Sequence, residues 1–152
     1  MAYPDLFSPS DVQQLIQRIE MLTPSTQGLW GKMNVAQMVK HCTISFEQAL
    51  EKNNQRPPAM MRWMLQLFFR KSMVNEVPYK QNLPTAPAFK IVDQPAFLAE
   101  QQKLKELILE FSARGKQHFE GKSQLTLGKL SALEWNNLMY KHIDHHLRQF
   151  GV

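Results

Sequence analysis

Residues 131–151 read SALEWNNLMYKHIDHHLRQFG. Ser131 followed three residues later by Glu134 is a capping box, in which each side chain satisfies a backbone N–H of the other. It predicts a helix that starts there and runs to about Gln149, with Gly151 placed to end it. Three of the chain's five histidines, His142, His145 and His146, fall inside five residues of this run. His142 and His146 are spaced i, i+4, so they share one helical face a turn apart and can hold one ion between them. His145 points about 60° to the other side of His142, and Asp144 lies further round. An HxxxH pair alone is a loose pattern that also describes a solvated polar face, so the rest of the chain has to decide its standing.

Upstream, Ser8 at the N-cap, Pro9 at the first helical position and Asp11 completing a capping box predict a helix over 8–22, on which Val12, Leu15, Ile16, Ile19 and Leu22 recur at helical spacing. TPSTQGLWGKM is a loop. Asn34 with Gln37 three residues on predicts the N-terminus of a second helix, whose apolar face is Val35, Met38, Val39, Cys42, Phe46 and Leu50. His41 lies on the flank of that face, and Ser45, one turn further, leaves room beside its imidazole. Residues 58–73 (Met60, Met61, Trp63, Met64, Leu65, Leu67, Phe68, Phe69) predict a helix apolar nearly all round, which is buried or meets a partner. Pro78, Pro84, Pro87 and Pro95 make the next stretch irregular. Phe97 to Arg114, with Leu98, Leu104, Leu107, Ile108 and Phe111, predicts a further helix stopped by Gly115. Residues 116–130 read as a loop holding His118, which we expect at the surface, and no strand pattern is visible.

The chain of 152 residues, 43% apolar, is expected to form a single domain over 1–152. MAYPDLFSPSD lacks the features of a signal peptide, and MMRWMLQLFF is too short to span a bilayer. One cysteine excludes an internal disulfide and fits a reducing compartment. These features predict a cytoplasmic protein without a membrane partner. The net charge of +5 is spread among acidic residues without a basic run or nucleic-acid motif, so no nucleic-acid partner is expected. Cys42 beside His41 sits on an apolar face, where a buried thiol is inert.

The fold class that follows is all-α: a bundle of four core helices, with an additional helix in the crossover between core helices two and three. Short loops join antiparallel neighbours, whereas a connection of roughly 40 residues allows consecutive helices to run parallel. The order is then up-down-down-up, and helix two is antiparallel to the last helix. His41 lies seven residues from Asn34, and His142 seven from Gln149. Both sit about 10 Å from the same end of the bundle at 1.5 Å rise per residue, so one cluster can draw on both helices. Three histidines with vacant positions make an open, catalytic type of metal site.

LWGKMNVAQMVKHC (29–42), LPTAPAFK (83–90) and LGKLSALEWNNLMYKHIDHHLRQFG (127–151) resemble an uncharacterised branch of the DinB-like superfamily. H-x-x-H-H-x-x-Q from His142 to Gln149 is similar to the superfamily's terminal signature. The resemblance implies an up-down-down-up four-helix bundle, often a homodimer. It implies a metal-binding trio at His41, His142 and His146, and a divalent ion such as zinc, nickel or iron. It also implies low-molecular-weight thiol transferases or metal-dependent hydrolases acting on a small-molecule substrate. The rival expectation is a non-catalytic dimeric metal-binding, interaction or stress-response module. Asp144 and His145 are candidate neighbours of the ligands, and the NLPTAPAFK loop is a candidate border of the pocket.

Overall fold

Two reciprocal caps set the helices that carry the histidines. In the computed structural model, which describes residues 2–84 and 90–152, helix α2 spans Val35–Ala49. Asn34 Oδ1 accepts from the Gln37 N–H at 2.9 Å, and Gln37 Oε1 accepts from the Asn34 N–H at 3.1 Å. Helix α6 spans Ala132–Gln149 and opens with the same device, formed by Ser131 and Glu134. Helix α1, Pro9–Glu20, starts differently. Ser8 occupies the capping position, but its side chain caps nothing, and Asp11 instead accepts from the Asp5 N–H at 2.7 Å. The box expected from Ser8 and Asp11 is therefore not formed; Pro9 fixes the first turn.

Most of the described chain is helical. Helix α2 packs along α5, Phe97–Phe119, and against α6, while α1 packs on α5. The core between them is aromatic: Phe46 meets Phe111 edge-on at 5.7 Å, Phe111 stacks on Phe119 at 4.2 Å, and Phe119 meets Trp135 at 5.4 Å. Burying each such ring contributes roughly 1.5–3 kcal/mol. Leu104, Leu107, Ile108 and Phe111 are buried as the periodicity predicts, but Leu98 is 70% exposed, because Phe97 beside it takes the core-facing position at the start of α5. Gly115 breaks α5 as expected, with φ at 73° in the left-handed region that favours glycine.

The following stretch is not a plain loop. One more helical turn reaches Phe119, and an antiparallel hairpin pairs β1, Ser123–Gln124, with β2, Gly128–Lys129. Gln124 Oε1 closes the turn by accepting from the N–H groups of Thr126 and Leu127. Two residues per strand are too few to show an alternating pattern, which is why none was legible.

The extra helix in the crossover runs as α3, Ala59–Met64, a π-helical turn, Leu65–Phe69, and α4, Arg70–Val74. Val74 and Met73 at its end pack on the core, and the rest of its attachment is polar. Gln66 donates to the Thr126 carbonyl, Arg70 pairs with Glu134 at 3.0 Å, and Asn137 donates to the Val74 carbonyl. The buried Lys141 ammonium donates to the Ser72 carbonyl and to Asn75 Oδ1 at the end of α4, and burial lowers its pKa to about 8. The apolar flank faces outward, with Met60, Trp63, Leu67 and Phe68 each 60% or more exposed. Residues 75–84 and 90–95 form neither helix nor strand, and 85–89, the centre of the NLPTAPAFK stretch, lie outside the described residues. No helix among the described residues is long and apolar enough to cross a membrane.

Candidate metal centre

The loop before α2 docks on the end of α6. The Leu29 N–H donates to the Gln149 carbonyl at 2.7 Å, so the start of one helix and the end of the other lie together. One stretch further along each helix, His41 of α2 meets His142 and His146 of α6. The Nε2 atoms of His41 and His142 stand 2.8 Å apart, and the ligand nitrogens of all three lie within 4.8 Å of one another. His41 and His146 are buried, and His142 is half-buried. Three imidazole nitrogens held about 2.0–2.1 Å from one zinc-sized ion stand roughly 3.3 Å apart in tetrahedral geometry. That spacing falls inside the range found here, so the trio can hold a metal ion.

Burial, reinforced by the nearby His41 and His146 rings, holds the pKa of His142 well below the usual imidazole range. Burial and then His41 bring His146 down to about 3, against a smaller upward pull from its bond to Gln149. Both rings are therefore neutral at neutral pH, the form that offers a lone pair to a cation. Among the described residues no carboxylate or thiol joins the group. Cys42, next in sequence, points into the core, and burial pushes its thiol pKa up.

A family described as protein of unknown function, DUF1569, matches residues 6–151. The chain belongs to the DUF1569 family. No curated protein and no solved structure matches it.

In this DUF1569 protein, Asp144 and His145 lie on α6 between His142 and His146. The Asp144 carboxylate binds Arg18 Nη1 at 2.8 Å and lies 3.5 Å from Arg148 Nε, tying α6 to α1. His145 packs by its ring against Trp30, Tyr79 and His146, at centroid distances of 6.0, 5.8 and 5.2 Å. The atoms that reach the second nitrogens of His142 and His146 belong to Ser45 and Gln149. Ser45 Oγ lies 3.2 Å from His142 Nδ1, and Gln149 Oε1 lies 2.8 Å from His146 Nδ1. Ser45 does more than leave space, and its place one turn after His41 was the available signal. Gln149 stood in the terminal signature without a role. His118 is exposed beside Lys122, away from the site.

Proposed function

We propose that this DUF1569 chain is a DinB-like protein that binds one divalent ion, zinc, nickel or iron, through His41, His142 and His146. The observation that carries the reading is the convergence of three imidazoles from two helices far apart in the chain within 4.8 Å, two of them buried. In this reading α1, α2, α5 and α6 are the core of an up-down-down-up four-helix bundle, a single domain over 1–152, with α3 to α4 as the crossover addition. The packing of α2 on both α5 and α6 supports it.

Three protein ligands leave positions for a small molecule, and we propose transfer of a low-molecular-weight thiol over hydrolysis. A bound divalent ion supplies charge that lowers the pKa of a coordinated thiol or water. Hydrolysis gains from a general base beside the bound water, and among the described residues no carboxylate joins the three rings. A thiol, with an ordinary pKa near 8.5, needs much less help. The histidines bind and orient. A cytoplasmic setting suits such chemistry and the single reduced cysteine.

Elemental analysis of the untagged protein after reconstitution tests this. About one ion per chain is expected, falling to background in His142→Ala; a wild type that stays metal-free with every ion offered sinks the reading. A second reading, a non-catalytic dimeric interaction module, is favoured by the exposed flank of Met60, Trp63, Leu67 and Phe68. Metal uptake without thiol or water chemistry across substrate panels supports it.

A further inference from the structure

The geometry points to Gln149 as the positioning residue that fixes the tautomer of His146, with the Trp30–Gly31 backbone fixing Gln149 in turn. The assignment rests on the metal-binding reading above and adds how one of its ligands is made ready. Gln149 Nε2 lies 2.8 Å from the Trp30 carbonyl oxygen, and a carbonyl can only accept. The amide NH2 must therefore face Trp30, which leaves Oε1 to face His146 Nδ1 at 2.8 Å. An amide oxygen also only accepts, so in the neutral ring Nδ1 carries the proton and Nε2 carries the lone pair. Nε2 is the nitrogen a ligand must offer when Nδ1 is occupied from outside.

Glutamine is suited to both ends of this relay, since it offers one donor and one acceptor on a planar group. Space for it comes from Gly31. A Cβ built there would lie 2.3 Å from Gln149 Nε2, and the backbone at Gly31 has φ of +82°. Both facts argue against any side chain at this position. The bond from the Leu29 N–H to the Gln149 carbonyl holds the same loop in place. The LWGKM segment thus reaches the site through Gln149, although none of its residues belongs to the trio.

Nitrogen NMR of the metal-free protein, held above the imidazole titration range, reads which nitrogen of each ring is protonated, with His146 assigned by difference against His146→Gln. The wild type should show His146 only as Nδ1–H. Gln149→Leu should show mixed or Nε2–H character and bind zinc roughly 10–100-fold more weakly, the usual effect of losing such a partner. Gln149→Glu keeps the acceptor on His146 and loses the donor to Trp30. It should keep the Nδ1–H form and zinc affinity within a few-fold at the same pH, while unfolding more easily. Gly31→Ala, which touches no histidine, should follow Gln149→Leu. The proposal fails if Gln149→Leu retains both the tautomer and the affinity, or if the Leu and Glu variants lose affinity in step with stability. The tautomer measurement needs no ion. A wild type that takes up no zinc yet shows His146 as Nδ1–H overturns the metal reading and upholds the role of Gln149.

Discussion

His142 and His146 are neutral in the folded protein because burial denies their rings a charge, and that has a consequence for stability. As pH falls through about 6.5, the ordinary value for histidine, the unfolded chain takes up protons on these rings. The folded chain does not follow at His146 until about pH 3. Over that interval the unfolded state binds more protons, so stability falls as pH falls, by up to about 1.4 kcal/mol per pH unit for each such histidine. Urea unfolding of chelator-treated protein should show a lower midpoint at pH 5 than at pH 7.5, and His146→Gln should flatten the difference. The comparison of pH 5 with pH 7.5 lies above the range where Asp93 and Glu110, whose pKa values are lowered by Lys40 and Lys52, lose their charge. An identical midpoint at both pH values would rule out the buried neutral rings.

At the scale of elements, Ser8 and Asn34 look alike in the sequence, and the structure separates them. Asn34 holds the Gln37 N–H and also donates to Gln94 Oε1, whereas Ser8 only pairs with the hydroxyl of Ser10. Asn34→Ala is expected to cost about 1 kcal/mol of stability, the usual effect of losing a cap. Ser8→Ala should stay within about 0.5 kcal/mol of wild type, as an uninvolved surface change does. Equal losses in urea titrations would contradict the assigned caps. The pair also shows what the sequence could convey. The caps of α2 and α6, their apolar faces and the i, i+4 pair were legible because each is a local pattern. The idle Ser8, the exposed Leu98 and the two-residue strands depend on what lies nearby in space. Gln149 is the sharpest case: its bond to His146 spans three residues, but the contact that orients it comes from Trp30, 119 residues away. His41 pairs with His142 in the sequence through counted helix ends and depths, and through the resemblance.

For the whole molecule, the remaining question is what meets the outer flank of helix α3 to α4. Between Lys52 and Asn75 the chain has no acidic residue, and Arg56, Arg62 and Lys71 enter no ion pair among the described residues. A two-fold contact is isologous, so residues on either side of the axis meet their own kind. Two copies joined through Trp63, Leu67 and Phe68 would therefore bring unneutralised cations of both chains together. Like charges at that contact oppose association, and salt weakens the opposition as the screening length drops from about 10 Å at 0.1 M to about 3 Å at 1 M. The apolar part of the contact is not screened. A homodimer built on this face should thus tighten as sodium chloride rises, the reverse of an interface held by opposite charges. Sedimentation velocity at several salt concentrations reads the sign directly. The double variant Trp63→Ser, Phe68→Ser should shift the population toward monomer at every concentration, with α-helical circular dichroism unchanged, since both side chains point away from the core. A dimer that weakens with salt, or that survives the double variant, would place the interface elsewhere on the molecule.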